Sequence, residues 1–93
     1  MQILFTKVIH FTRLIKAGGR LREFNLRKLK QLDKDVFSVD TVDDRGNRII
    51  FRMNTEGHNG TWAIAPTDFQ LPSWIPEVEG KLREGIEEAL HQG

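Results

Sequence analysis

The residues of this chain best suited to chemistry are basic and clustered. Between Arg13 and Lys34 stand eight bases (Arg13, Lys16, Arg20, Arg22, Arg27, Lys28, Lys30 and Lys34) against two acids, Glu23 and Asp33, with Phe24 among them and Phe11 just before. Guanidinium and ammonium groups interleaved with aromatic rings are what a protein uses to follow a phosphate backbone and stack unpaired bases. Arg13, Lys16, Arg20, Arg22, Arg27, Lys28 and Lys30 are therefore the candidate binding residues, for a single-stranded nucleic acid or for an acidic partner. A plainer account competes: long basic side chains keep an edge hairpin soluble and stop it pairing with other chains.

From Asp35 onward the balance reverses, to eleven acids against five bases. The formal net charge of +1 thus conceals a dipole along the chain. The bases of the first segment could find their counter-charge in the acidic remainder of the same chain, or of a second copy.

Other chemistry is sparse. His10, His58 and His91 are far apart and match no metal-ligand spacing. Asp43 and Asp44 form a carboxylate pair, but they open the run Asp43-Asp44-Arg45-Gly46-Asn47, where aspartates cap the amides of a turn, and the run offers too few oxygens for calcium or magnesium. The chain has no cysteine, which removes disulfides, thiolate zinc sites and thiol nucleophiles. No serine nucleophile elbow, P-loop or dinucleotide-binding glycine pattern occurs. The expectation is a non-enzymatic protein with no catalytic, metal or cofactor-binding residues.

These residues need elements to position them. Ninety-three residues, 39% of them hydrophobic, fit a single domain over residues 1–93, one that buries roughly 60–70% of its unfolded surface, enough for one core but not for a large internal cavity. Residues 1–17 are dense in Ile, Phe, Thr and Val, which favours a strand, although Leu4, Val8, Phe11 and Ile15 also have helical spacing, so an N-terminal helix is the alternative. Gly18-Gly19 suits a two-residue hairpin turn. Arg20–Leu29 then returns with Phe24 and Leu26 inward; Arg20, Arg22 and Lys28 share their parity, so the covered stretch is expected to be short and the ends to project beyond it.

The centre of the chain, Val36–Ala65, reads as a three-stranded meander. Phe37 and Val39 mark the apolar face of the first strand, Asp43–Asn47 the turn, Ile49, Phe51 and Met53 the second strand, and Trp62 and Ile64 the third, ended by Pro66. From Ser73 the period changes to 3.6: Ile75, Val78, Leu82, Ile86, Ala89 and Leu90 share one helical face within about 60°. Ser73 is the expected cap, Glu77–Lys81 and Glu79–Arg83 the expected i,i+4 pairs, and Gly85, beside the apolar stripe, the expected point of close approach to the sheet.

The fold class is therefore α+β: an antiparallel meander of about five strands with one C-terminal amphipathic helix packed on one face. The order of meander then helix resembles, at the level of fold alone, that of small single-strand-binding modules, none of whose motifs is matched. A single helix covers one sheet face and leaves the other to solvent, to a second core or to a partner, with Val36, Val42, Ile50 and Ala63 as candidates for that side. No run reaches the ~18 apolar residues of a membrane span, and Lys7 and Arg13 interrupt any signal-peptide core, so the expected location is cytoplasmic. The expected function is that of a small binding or interaction domain, as a homodimer or with a protein partner, with single-stranded nucleic-acid binding through the basic hairpin of residues 13–34 as the alternative.

Overall fold

A computed structural model of the chain describes residues 9–29, 35–57 and 59–91. Five strands, β1 (His10–Ala17), β2 (Arg20–Leu29), β3 (Val36–Val42), β4 (Arg48–Asn54) and β5 (Ala63–Ile64), are followed by a short helix α1 (Trp74–Glu77) and a longer helix α2 (Glu79–His91). The strands form one antiparallel sheet in the order β1-β2-β3-β4-β5. This is an α+β fold, a curled meander with a C-terminal helix.

Local chemistry accounts for the turns. Gly18 and Gly19 join β1 to β2 with φ of +61° and +80°, the double left-handed conformation that lets a two-residue turn match the twist of its strands. At the β3–β4 turn one Asp43 carboxylate oxygen accepts hydrogen bonds from the backbone N–H groups of Arg45 (2.9 Å) and Asn47 (2.8 Å), while Gly46 takes φ +84°. The aspartates of this run serve the turn, as its composition implies.

Register then sorts the side chains. Leu26 lies opposite Phe11 and Val39, and Phe51 opposite Val39, so the large apolar residues of β1 to β4 share one face. Against it pack Ile75 of α1, Val78, and Leu82 and Ile86 of α2, all buried together with Phe24, Leu26, Phe37 and Met53. Phe37 stands at the centre, edge-on to Phe11 (6.1 Å) and Trp62 (5.2 Å). Gly85 meets the sheet as its place on the stripe implies: a Cβ there would lie 3.2 Å from Phe11 and 3.3 Å from Arg13.

Several expectations need correction. For residues 10–17 the strand reading holds and only its alternative, a helix, is set aside; residues 1–8, part of the same segment, lie outside the described residues. The last strand is two residues long rather than the five of 61–65, because β4 ends at Asn54, opposite Ala63, and leaves the preceding residues no strand to pair with. Ser73 makes no side-chain cap and has helical dihedrals itself (φ −59°, ψ −26°). The single helix is two, divided at Val78, whose ψ of 8° departs from helical geometry. Of the two i,i+4 pairs, Glu79–Arg83 is formed, at 3.3 Å. Most informative is Arg22, expected to project from the sheet but only 6% exposed: α1 reaches over it and extends the covered face by one residue pair.

Candidate interaction surface

The uncovered face of the sheet is built from the alternate residues of each strand. Strand pairing sets Thr12 beside Asn25, Asn25 beside Asp40 and Asp40 beside Ile50, with His10 beside Arg27 and Ser38 beside Arg52 on one side of this row, and Leu14 beside Glu23 and Val42 beside Arg48 on the other. Curling of the sheet makes this face a groove of about 800 Å³, with Leu21, Asn25, Arg27, Asp40, Val42 and Ile50 in its lining.

A chain of hydrogen bonds crosses the floor. The Thr12 hydroxyl donates to the Asn25 amide oxygen (2.7 Å), the Asn25 amide donates to one Asp40 oxygen (3.1 Å), and Arg48 donates to the other (2.8 Å). Partial burial alone would push the Asp40 carboxyl up; the hydrogen bonds from Arg48 and Asn25 and the charge of Arg48 outweigh it, so its pKa lies below the ordinary 3.8. Asp40 is thus a fixed anion that orders four strands, not a group poised to exchange a proton near neutrality.

Apolar groups flank that row. Leu14, Leu21, Val42 and Ile50 are 62, 63, 52 and 48% exposed, and all four stand on this one face. Sequence reasoning anticipated Val42 and Ile50 here; Val36 and Ala63, expected with them, are buried. Leu14 and Leu21 were not among the residues expected here, although strand parity sets both on this face, each next to a base in the sequence. No described strand places a phenylalanine or tryptophan on this face, where the imidazole of His10 at the start of β1 is the ring the groove lining contains; Phe11, Phe24, Phe37 and Phe51 all belong to the core on the other side.

The structure disperses the candidate basic residues. Lys16 and Arg27 lie on the uncovered face, exposed and with no acidic partner among the described residues. Arg13 turns to the helix side, where it packs on Phe11 (4.9 Å from the ring centre) and reaches Glu88 of α2 (3.6 Å). Arg20 and Arg22 both bind Asp44 of the β3–β4 turn, at 3.1 and 2.9 Å, and Lys28 lies 3.8 Å from Asp35. Lys30 lies outside the described residues. Four of the seven are thus matched to acids of their own chain, the intramolecular account of the charge dipole. In exchange the fold adds Arg48 and Arg52 to the uncovered face, while Glu84, Glu87 and Glu88 collect on α2 at the other.

Elsewhere the chemistry is structural. His10 and His91 are exposed, and His58 lies outside the described residues. Among the described residues no three His, Asp or Glu side chains are grouped to hold a metal ion, and no helix is long and apolar enough to cross a membrane. Comparison of the chain with protein-family models, with curated proteins and with solved structures finds no match.

Proposed function

We propose that this is a non-enzymatic binding domain whose docking surface is the uncovered sheet face, and that its ligand is an acidic protein segment carrying apolar side chains. The observation that carries this reading is the gathering of Leu14, Leu21, Val42 and Ile50, each about half exposed or more, on one face. Scattered exposed leucines are ordinary, but four on one groove-forming face mark an interaction site. Lys16, Arg27 and Arg52 on the same face, with Asp40 already paired to Arg48, favour a negatively charged partner. The phenylalanines and tryptophans of the described strands lie on the other face and the groove carries only the His10 imidazole as a stacking ring beside four large apolar side chains, so the chemistry favours a peptide over a single-stranded nucleic acid.

The test is a titration of the isotope-labelled protein, followed by amide shifts, with short acidic leucine-bearing peptides, with matched basic peptides and with oligothymidine. Saturable shifts at Leu21, Asn25, Val42 and Ile50 with the acidic peptides, weakened in Val42→Asp and Ile50→Asp variants that retain the native spectrum, support the reading. Preferential, steeply salt-dependent binding of oligothymidine to this face overturns it in favour of nucleic acid, and no shifts with any probe at millimolar concentration overturns it outright.

A further inference from the structure

The two edges of the sheet are treated differently. At the β5 edge, pairing with β4 runs through Ala65, whose N–H donates to the Arg52 carbonyl (2.8 Å), so the carbonyl of Trp62 and the N–H of Ile64 point outward. Both are taken by α2. The Arg83 Nε–H donates to the Trp62 carbonyl (2.7 Å), and the Glu79 carboxylate accepts from the Ile64 N–H (2.9 Å). The two side chains, 3.3 Å apart as an ion pair, present to β5 the acceptor and donor that a sixth strand would present, and so close that edge to other chains.

The β1 edge has no such cover among the described residues. The Lys28 N–H donates to the Ile9 carbonyl (2.9 Å), which by alternation pairs the odd residues of β1 with β2 and turns the N–H and C=O groups of His10, Thr12, Leu14 and Lys16 away from the sheet. A contact from the Arg13 side chain to the Thr12 carbonyl, at 3.4 Å, is long for a hydrogen bond. The edge is eight residues of regular strand with no proline and no bulge, and beside it stand Leu14 and, on β2, Leu21, the two most exposed of the large apolar side chains among the described residues.

We infer that β1 pairs with β1 of a second copy, antiparallel about a two-fold axis at Leu14, joining two sheets into one. The register follows from the side chains. Centring on Arg13 sets guanidinium against guanidinium, and centring on Thr12 leaves Leu14 facing a histidine. Centring on Leu14 sets leucine on leucine, Thr12 opposite Lys16, and Arg13 opposite Ile15, so no like charges meet. It also brings the Leu14 and Leu21 pairs of both copies together on the uncovered face, so that the groove of each copy continues into the other. The occupant is a second copy because the strand is self-complementary in this register and because two-fold pairing is the closed form of such an edge.

The chain contains no cysteine, so single introduced cysteines report contacts cleanly. Sedimentation across a wide concentration range is expected to show a monomer–dimer equilibrium, and Leu14→Cys to cross-link on oxidation while Val42→Cys does not. Leu14→Pro removes an outward N–H, a change that an edge strand tolerates; it is expected to keep the circular dichroism of the parent, and its melting behaviour at concentrations where the parent is monomeric, while weakening dimerisation at least tenfold, and Leu14→Lys, which sets like charges at the axis, to do the same with the backbone intact. A monomer at every concentration overturns the proposal. So does a dimer that survives in both variants, or one that cross-links through Val42→Cys instead, which would place the two uncovered faces together.

Discussion

The guanidinium carbon of Arg22 lies 3.8 Å from the centre of the Trp74 ring. That contact joins the sheet to α1, and the same guanidinium donates from Nε to the Ala17 carbonyl (2.8 Å) and lies 2.9 Å from Asp44. One buried cation thus ties together the β1–β2 hairpin, the β3–β4 turn and the first helix. Replacing Arg22 with alanine is expected to cost about 2–4 kcal/mol, from the lost stacking and the uncapped carbonyl. Arg22→Lys retains the charge but not the planar stack and fork, and should recover less than half of that loss. Chemical denaturation of both, together with Trp74→Leu and the double variant, gives the coupling directly.

The two glycines of the β1–β2 turn are not equivalent. Both have positive φ, so alanine at either is strained by about 1 kcal/mol. At Gly18, however, a Cβ would also stand 3.1 Å from Trp74, whereas at Gly19 it would meet nothing within 4 Å. Gly18→Ala is therefore expected to be the more destabilising, by at least about 1 kcal/mol of crowding, and to redshift or quench Trp74 fluorescence where Gly19→Ala does not.

The helical glycines divide in the same way. At Gly80 a Cβ would meet nothing within 4 Å, so Gly80→Ala should stabilise the protein by about 0.5–1 kcal/mol through helix propensity alone. At Gly85 the contacts to Phe11 (3.2 Å) and Arg13 (3.3 Å) oppose that gain, so Gly85→Ala should give no net stabilisation and Gly85→Val a clear loss of about 1–3 kcal/mol. Thermal melts of the three variants decide this.

Acid should weaken the fold through two carboxylates. Asp40 is held below its ordinary 3.8 by the bonds already described, against the opposing effect of burial, and Asp43 mainly by the Asn47 backbone N–H. A carboxyl whose folded pKa is depressed contributes stability above its unfolded value and loses it as pH falls through the folded one. The contribution is thus expected to be complete above about pH 5 and to decline below about pH 4, with Asp40→Asn flattening the profile over that interval. Denaturant midpoints between neutrality and acid measure it. Equal acid sensitivity in the variant would assign the decline to other groups.

Much of this architecture was legible in the residues themselves. The alternation of Phe37 and Val39, of Ile49, Phe51 and Met53, and the aspartates and glycine of the β3–β4 turn determine strands and turn locally, because period and turn geometry are properties of consecutive residues. The helical stripe from Ile75 to Leu90 is equally local, and it led to the tight approach at Gly85. The membership of the uncovered face was half legible: parity assigns Leu14 and Leu21 to it, but only strand order and curl make neighbours of β1, β2, β3 and β4.

What the sequence could not decide was where the charges go. Arg13 to Lys34 is one basic segment along the chain, yet alternate side chains of a strand leave by opposite faces, so the fold divides that segment between the helix side and the groove. Arg22 disappears beneath Trp74, and Arg20 with it reaches a carboxylate 24 residues away. The sequence by itself determined the strands, the turns, the helical face and the overall dipole, all set by near neighbours. Only the tertiary structure decided which cations are already satisfied, which apolar groups share a surface and which sheet edge is closed, because each depends on contacts between residues that the chain keeps far apart.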